Sequence, residues 1–225
     1  MTNNGQNRWL TQKMYSFSEV AHLAHVSAST VRNWLFGYTT ERGRVEPLFQ
    51  NHNEDEKVCS FLELIEVVVA ANFRKAEHKS FKTVRFAYDN ARKIYKLDYP
   101  FARVELKAIG GHIVHILREP GASLQAIDQP EQHTLPDLVQ QIVTEQIEYE
   151  YELARRWYPI GKNIPIVVDP RISAGVPIIE GRGITVEAIY KRFKADQDIA
   201  FIEKDFDLKH GIVEKVIRYR EKLAI

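Results

Sequence analysis

The residues near the N-terminus best suited to chemistry are hydrogen-bonding side chains and cations: Ser29, Thr30, Arg32 and Asn33, followed by Arg42 and Arg44. Hydroxyl and amide groups can read base edges or grip phosphates, and arginine can do both. That is the chemistry of recognition rather than of turnover. The other reactive residue types are poorly placed for catalysis or metal binding. His22 and His25 share a helix without a carboxylate or cysteine at ligand spacing. His112 and His115, three apart in a strand-like stretch, point to opposite faces. Cys59 lies just before an apolar helix and reads as a structural thiol. The Gly181-Arg182-Gly183 run reads as a strand bend that needs positive φ rather than as a phosphate loop. No Walker A motif or G-x-G-x-x-G fingerprint occurs. The expectation is therefore a protein that is not an enzyme, with no catalytic residues, no cofactor and no metal.

The elements that must position the recognition residues lie in 15–36, YSFSEVAHLAHVSASTVRNWLF. Ser16 and Glu19 have capping-box spacing, and Val20, Leu23 and Ala24 follow at helical spacing. Val26 falls in a turn, Ser27 can cap a second helix, and Val31, Trp34 and Leu35 give it an apolar face. Ser29, Thr30, Arg32 and Asn33 then lie on its outward side. A helical hairpin alone is common in globular proteins. The next stretch makes this one a candidate DNA reader: Tyr38-Thr39-Thr40 and Val45 flank a basic tip, Arg42-Gly43-Arg44, as in a β-hairpin wing.

The whole chain has 225 residues, 44% hydrophobic and 27% charged, with a net charge of +1. Such a composition fits a soluble globular protein whose nucleic-acid binding must come from a local patch. A lone cysteine and the lack of an apolar leader or span predict a cytoplasmic protein with no membrane contact.

Three regions are expected: 1–50, 51–157 and 161–225. Residues 1–14 read as polar and frayed, with Trp9 and Leu10 able to dock on the core. The polar loop 51–57 leads into a strongly apolar helix over 60–78, capped by Ser60 with Glu63. Ser80 starts another helix, whose seam is Phe81, Val84, Tyr88, Ala91 and Tyr95. Residues 72–107 carry ten basic and four acidic side chains. A hairpin is expected over 103–117 around Gly110-Gly111. A long helix is expected over 136–157, acidic enough to serve as partner for the basic stretch or for another protein. Two strands, 166–168 and 176–184, then precede helices at about 185–194, 198–205 and 209–223. The fold class is mainly α (α+β): a winged helix-turn-helix, a helical middle region with a β-hairpin, and a small β-hairpin with three helices in a helix-turn-helix-like array.

The last region resembles the domain of unknown function 433. The residues that carry the likeness are Asp169, Pro170, Gly175, Pro177, Ile179, Gly181, Ile184, Ile199, Phe206, Leu208, Val213, Ile217 and Tyr219. That family is similar to VapB-type antitoxins, whose partners are PIN-like ribonuclease toxins. The N-terminal unit resembles the MerR-type winged helix-turn-helix at Tyr15, Glu19, Val20, Ala21, Val26, Ser27, Ser29, Thr30, Val31, Arg32 and Trp34. Together the resemblances imply an antitoxin of a type II toxin–antitoxin system that binds operator DNA as a homodimer, represses its own operon and neutralises a PIN-like ribonuclease toxin. The alternative is a stand-alone MerR-like transcriptional regulator with a ligand-sensing middle region.

Overall fold

The structure is a computed structural model, and it describes residues 8–53, 55–77, 84–85, 88–89, 91–93, 96–103 and 145–223. The fold is mixed α+β, with two-stranded antiparallel sheets among its helices. Contacts group the chain into two compact units, 1–155 and 156–225.

The first unit opens with α1 (Arg8–Thr11) and β1 (Lys13–Ser16). Leu10 on α1 is buried. Its docking is the one expected of an apolar residue in an otherwise polar stretch, and residues 1–7 lie outside the described residues. Ser16 and Glu19 then make a reciprocal capping box for α2 (Phe17–Ala24). The Ser16 backbone N donates to Glu19 Oε2 at 2.7 Å, and the Glu19 backbone N donates to Ser16 Oγ at 3.2 Å. His25 closes α2 in the left-handed region, φ 53°. Ser27 caps α3 (Ala28–Phe36), its Oγ accepting from Thr30 N at 3.1 Å.

After α3 the chain forms a short antiparallel hairpin, β2 (Tyr38–Thr40) and β3 (Gly43–Val45). It returns so that Leu48 N and Phe49 N both donate to the Trp34 carbonyl, at 2.7 and 3.1 Å. β4 (Val58–Ser60) pairs antiparallel with β1, with Tyr15 opposite Cys59. β4 leads straight into α4 (Phe61–Glu77). Its start is again a capping box, with Ser60 N donating to Glu63 Oε2 at 2.6 Å.

From Phe61 to Ala70 every residue of α4 is buried, so this is the central rod of the unit rather than a free face. α1, α2, β1 and the 3-10 turn Pro100–Ala102 pack on it. A run of aromatic rings crosses the same core. Trp34 meets Phe49 at 6.2 Å, Phe49 meets Tyr88 at 5.3 Å, Tyr88 meets Phe101 at 5.2 Å and Phe101 meets Phe73 at 5.5 Å between centroids. Residues 84–85, 88–89 and 91–93 are helical, as expected for the seam of Val84, Tyr88 and Ala91. The hairpin expected over 103–117 lies, but for Arg103, outside the described residues.

The helix expected over 136–157 does not extend through its second half: only residues 145–146 are helical among those described. Residues 147–157 form a hairpin instead, β5 (Ile147–Glu150) and β6 (Leu153–Trp157). Tyr151 and Glu152 make the turn with φ of 49° and 72°. The physical reason is the period: Glu148, Glu150 and Glu152 alternate with Ile147, Tyr149 and Tyr151. Period two suits a pleated strand, as do isoleucine and tyrosine. The acidic residues pair locally, Glu148 and Glu150 with Arg155 at 4.0 and 3.1 Å, and Glu152 with Arg103 at 3.4 Å.

In the second unit β7 (Ile166–Val167) pairs antiparallel with β8 (Ile178–Ile179). Three helices follow, α5 (Val186–Lys194), α6 (Ile199–Asp205) and α7 (Ile212–Leu223). Thr185 and Asp198 cap the first two by accepting from Ala188 N and Phe201 N, each at 3.1 Å. Ile166, Ile179, Ile189, Ile202, Val213 and Val216 form the shared core. Among the described residues no helix is long and apolar enough to cross a membrane.

Candidate nucleic-acid interface

α3 exposes Ser29 and Arg32, while Val31, Trp34 and Leu35 on its other side are buried. The capping of Ser27 decides which polar groups remain available. Ser27 Oγ lies 2.8 Å from both Ser29 Oγ and Thr30 Oγ1, so the hydroxyls near the helix start hold one another. Thr30 and Asn33 are half-buried. Arg32 is exposed, and among the described residues nothing holds its guanidinium. It is the side chain of α3 with the longest reach and no prior engagement.

The hairpin places Arg42 and Arg44 at and beside its tip, both exposed. They are not equivalent. Thr40 Oγ1 accepts from Arg42 N at 3.2 Å, which shapes the turn and leaves the Arg42 side chain free to extend. Arg44 Nη2 instead donates to the Phe36 carbonyl at 3.2 Å, and its Nε lies 3.7 Å from Glu46. Arg44 thus stitches the hairpin to the end of α3. Gly37 makes the join possible. Its φ of 72° and ψ of −174° belong to a region essentially reserved for glycine, and an added Cβ would run into the Val45 carbonyl.

Arg85 holds the hairpin's return. Its Nη1 donates to the Pro47 carbonyl at 2.6 Å and its Nη2 to the Glu46 carbonyl. Of the basic stretch 72–107, Arg85 and Arg103 therefore serve internal contacts.

A second constellation lies behind this surface. Lys13 Nζ lies 2.8 Å from both carboxylate oxygens of Glu63, 2.6 Å from Glu56 Oε2 and 3.3 Å from His52 Nδ1. The His52 and Glu63 side chains are wholly buried, and His52 Nδ1 stands 2.8 Å from Glu63 Oε1. The other ring nitrogen, Nε2, is 3.0 Å from the Glu56 carbonyl oxygen. Cys59 is also buried, and candidate ligand atoms of His52, Cys59 and Glu63 lie within 4.8 Å of one another. Burial raises the Glu63 pKa, but hydrogen bonds from His52, Lys13 and Ser60 outweigh it and hold the carboxyl below its usual range. Burial and the Glu63 charge push the Cys59 thiol well up. No sequence spacing marks this cluster, because strand pairing brings Lys13 to it from the far end of the unit.

In the second unit Asp169 is buried under two arginines. Arg156 Nε donates to Oδ2 at 2.8 Å, and Arg171 donates to Oδ1 and Oδ2 at 3.0 and 2.7 Å. Burial opposes its ionisation, yet the Arg171 and Arg156 hydrogen bonds lower the carboxyl to about 2. Asp169 therefore locks the turn between β7 and β8.

Residues 166–219 match the family described as Protein of unknown function (DUF433). The match spans the strand pair and nearly all of the three-helix array. No curated protein matches the chain. Among solved structures, the X-ray crystal structure of Rv2018 from Mycobacterium tuberculosis is similar, with a TM-score of 0.69 and 17% sequence identity. The likeness covers 92% of this chain and 97% of that one, and it is a likeness of fold.

Proposed function

We propose that this protein reads operator DNA through α3 and the β2–β3 hairpin, in the manner of a MerR-like winged helix-turn-helix. The observation that carries this reading is the pairing of two exposed arginines that nothing among the described residues engages, Arg32 on α3 and Arg42 at the adjoining hairpin tip. Arg32 reaches base edges or phosphate beside Ser29, and Arg42 neutralises a flanking phosphate. Thr30 and Asn33 stand at the margin of the contact, and Arg44 keeps the wing in register with the helix. One such unit covers a short site, so the protein acts as a homodimer on a palindrome.

The DUF433-like second unit supports a partner role beyond DNA. It binds a PIN-like ribonuclease toxin, which makes the protein the antitoxin of a type II pair and a repressor of its own operon. The resemblance to VapB-type antitoxins supports this half of the reading.

The DNA half is tested by fluorescence anisotropy with the full chain and duplex from upstream of its own gene. Arg32→Ala and Arg42→Ala are each expected to weaken binding and to lower the salt slope by about 1. Unchanged affinity in both variants would refute the interface. The toxin half is tested by co-expression with the adjacent open reading frame. Failure of a PIN-like product to co-purify would refute that part while leaving the DNA result standing.

A further inference from the structure

We infer that His52, Cys59, Glu63 and Glu56 form a zinc site, in which the metal takes the place now held by the Lys13 ammonium. The first support is the donor set. Imidazole, thiolate and carboxylate are the three protein ligand types of zinc, and they converge here from a loop, the middle of β4 and the first turn of α4.

The second support is the orientation of His52. Its Nε2 lies 3.0 Å from the Glu56 carbonyl oxygen, a group that only accepts. A proton on Nε2 satisfies that contact and leaves the Nδ1 lone pair facing the cluster. A backbone carbonyl on the far nitrogen is how metal-bound histidines are commonly held. In that tautomer Nδ1 and Glu63 Oε1 are two acceptors only 2.8 Å apart, so either a second ring proton or a cation has to bridge them. Lys13 Nζ supplies one from 3.3 and 2.8 Å, and a metal ion would supply it more directly.

The third support is size, charge and access. Tetrahedral zinc with bonds of about 2.0–2.3 Å holds its ligands about 3.3–3.8 Å apart. The widest separation of 4.8 Å within the His52, Cys59 and Glu63 set needs to close by about 1 Å, which side-chain rotation supplies. Glu56 completes the set, since its Oε2 already lies 2.6 Å from Lys13 Nζ. The exchange balances in charge: one zinc dication enters, one ammonium swings out to solvent, and one proton leaves the Cys59 thiol. The Lys13 and Glu56 side chains are 21% and 36% exposed, so the site opens to solvent on their side. His52 also stands edge-on to Phe17 and Phe36, at 6.0 and 5.1 Å, so the bound metal fastens the loop to the ends of α2 and α3.

The full chain, stripped with chelator, is titrated with zinc against a chromophoric competitor and with cobalt(II) by absorption spectroscopy. The expected results are one tightly held zinc per chain and a thiolate-to-cobalt charge-transfer band. Cys59→Ser is expected to lose the band, and Lys13→Met to bind zinc at least about tenfold more tightly, a gain that a misfolded variant would not show. A parent chain without zinc uptake overturns the inference, even if Lys13→Met binds, because the ammonium is then the permanent cation. A charge-transfer band that survives in Cys59→Ser also overturns it.

Discussion

Gly37 sits where α3 hands over to the hairpin, and Gly37→Ala tests how tightly the two are joined. The backbone there has φ 72° and ψ −174°, a conformation costing a side-chain-bearing residue about 1–3 kcal/mol. The new methyl would also collide with the Val45 carbonyl and crowd Glu46 C and Pro47 N at 3.0 Å, all of it backbone. Relief requires the hairpin to move. Gly43 supplies the control, since its φ is 117° but a Cβ there meets nothing within 4 Å. Gly43→Ala carries the strain alone, while Gly37→Ala carries strain and collision, about 3 kcal/mol in all. At about 2–4 °C per kcal/mol, the melting midpoint of the first unit should fall by about 6–12 °C. The assay is thermal unfolding by circular dichroism, paired with DNA anisotropy below the transition. The displaced hairpin should lose the Arg42 contact and lower the salt slope by about 1. A Gly37→Ala protein no less stable than Gly43→Ala would refute the reasoning.

Asp169 should show itself in acid. Its carboxyl, depressed to about 2 from an ordinary 3.8, contributes stability that is fully present above the ordinary value and is lost as the pH falls through about 2. Asp169→Asn should remove about 2 kcal/mol at neutral pH and flatten the acid limb of the second unit's unfolding curve. An unchanged limb would contradict it. Glu66 is the opposite case, a wholly buried carboxyl whose pKa burial raises well above the ordinary 4.5, with Phe101 N at 3.4 Å and Tyr88 Oη at 3.2 Å as donors. The stability tied to its proton is full below the ordinary value and lost as pH rises through the folded one. The melting temperature of Glu66→Gln, relative to the parent, should therefore climb with pH, and a flat difference would count against a protonated Glu66. Arg85→Met keeps the side chain's bulk but drops both donors to the hairpin's return, and should weaken DNA binding by about tenfold without unfolding the protein. Equal affinity would free Arg85 of any part in positioning the wing.

What could be read from the residues alone follows the range of the interactions involved. Helix starts were legible, because a cap is a local event: Ser16 with Glu19, Ser27, and Ser60 with Glu63 all cap where their spacing says. The burial of Trp34 and the apolar seam through Val84, Tyr88 and Ala91 follow from helical period in the same way. The β1–β4 pair was not legible, since strands of three or four residues carry no period and their pairing joins distant parts of the chain. The β5–β6 hairpin was misread because its turn, Tyr151-Glu152, has no glycine or asparagine, although the alternating glutamates carry a period of two. At the candidate interface the residue types were legible but their engagement was not. Arg44 and Thr30 are engaged by neighbours within the fold, Arg44 by the Phe36 carbonyl and Thr30 by Ser27, through hydrogen bonds that no spacing encodes.

The row of rings from Trp34 through Phe49, Tyr88 and Phe101 to Phe73 bears on how such a protein can evolve. A self-contained DNA-binding head can be cut away and grafted elsewhere, because its apolar residues are covered by its own short sequence. Here the covering of Trp34 and Phe49 is shared with residues far along the chain, so a fragment ending near residue 50 would leave them facing water. α3 is one wall of a larger building, and recombination cannot lift it out intact. In the proposed DNA-reading role, new operator preferences are left to arise by point changes on the outer surface, at positions such as Ser29, Arg32 and Arg42 that the core does not need.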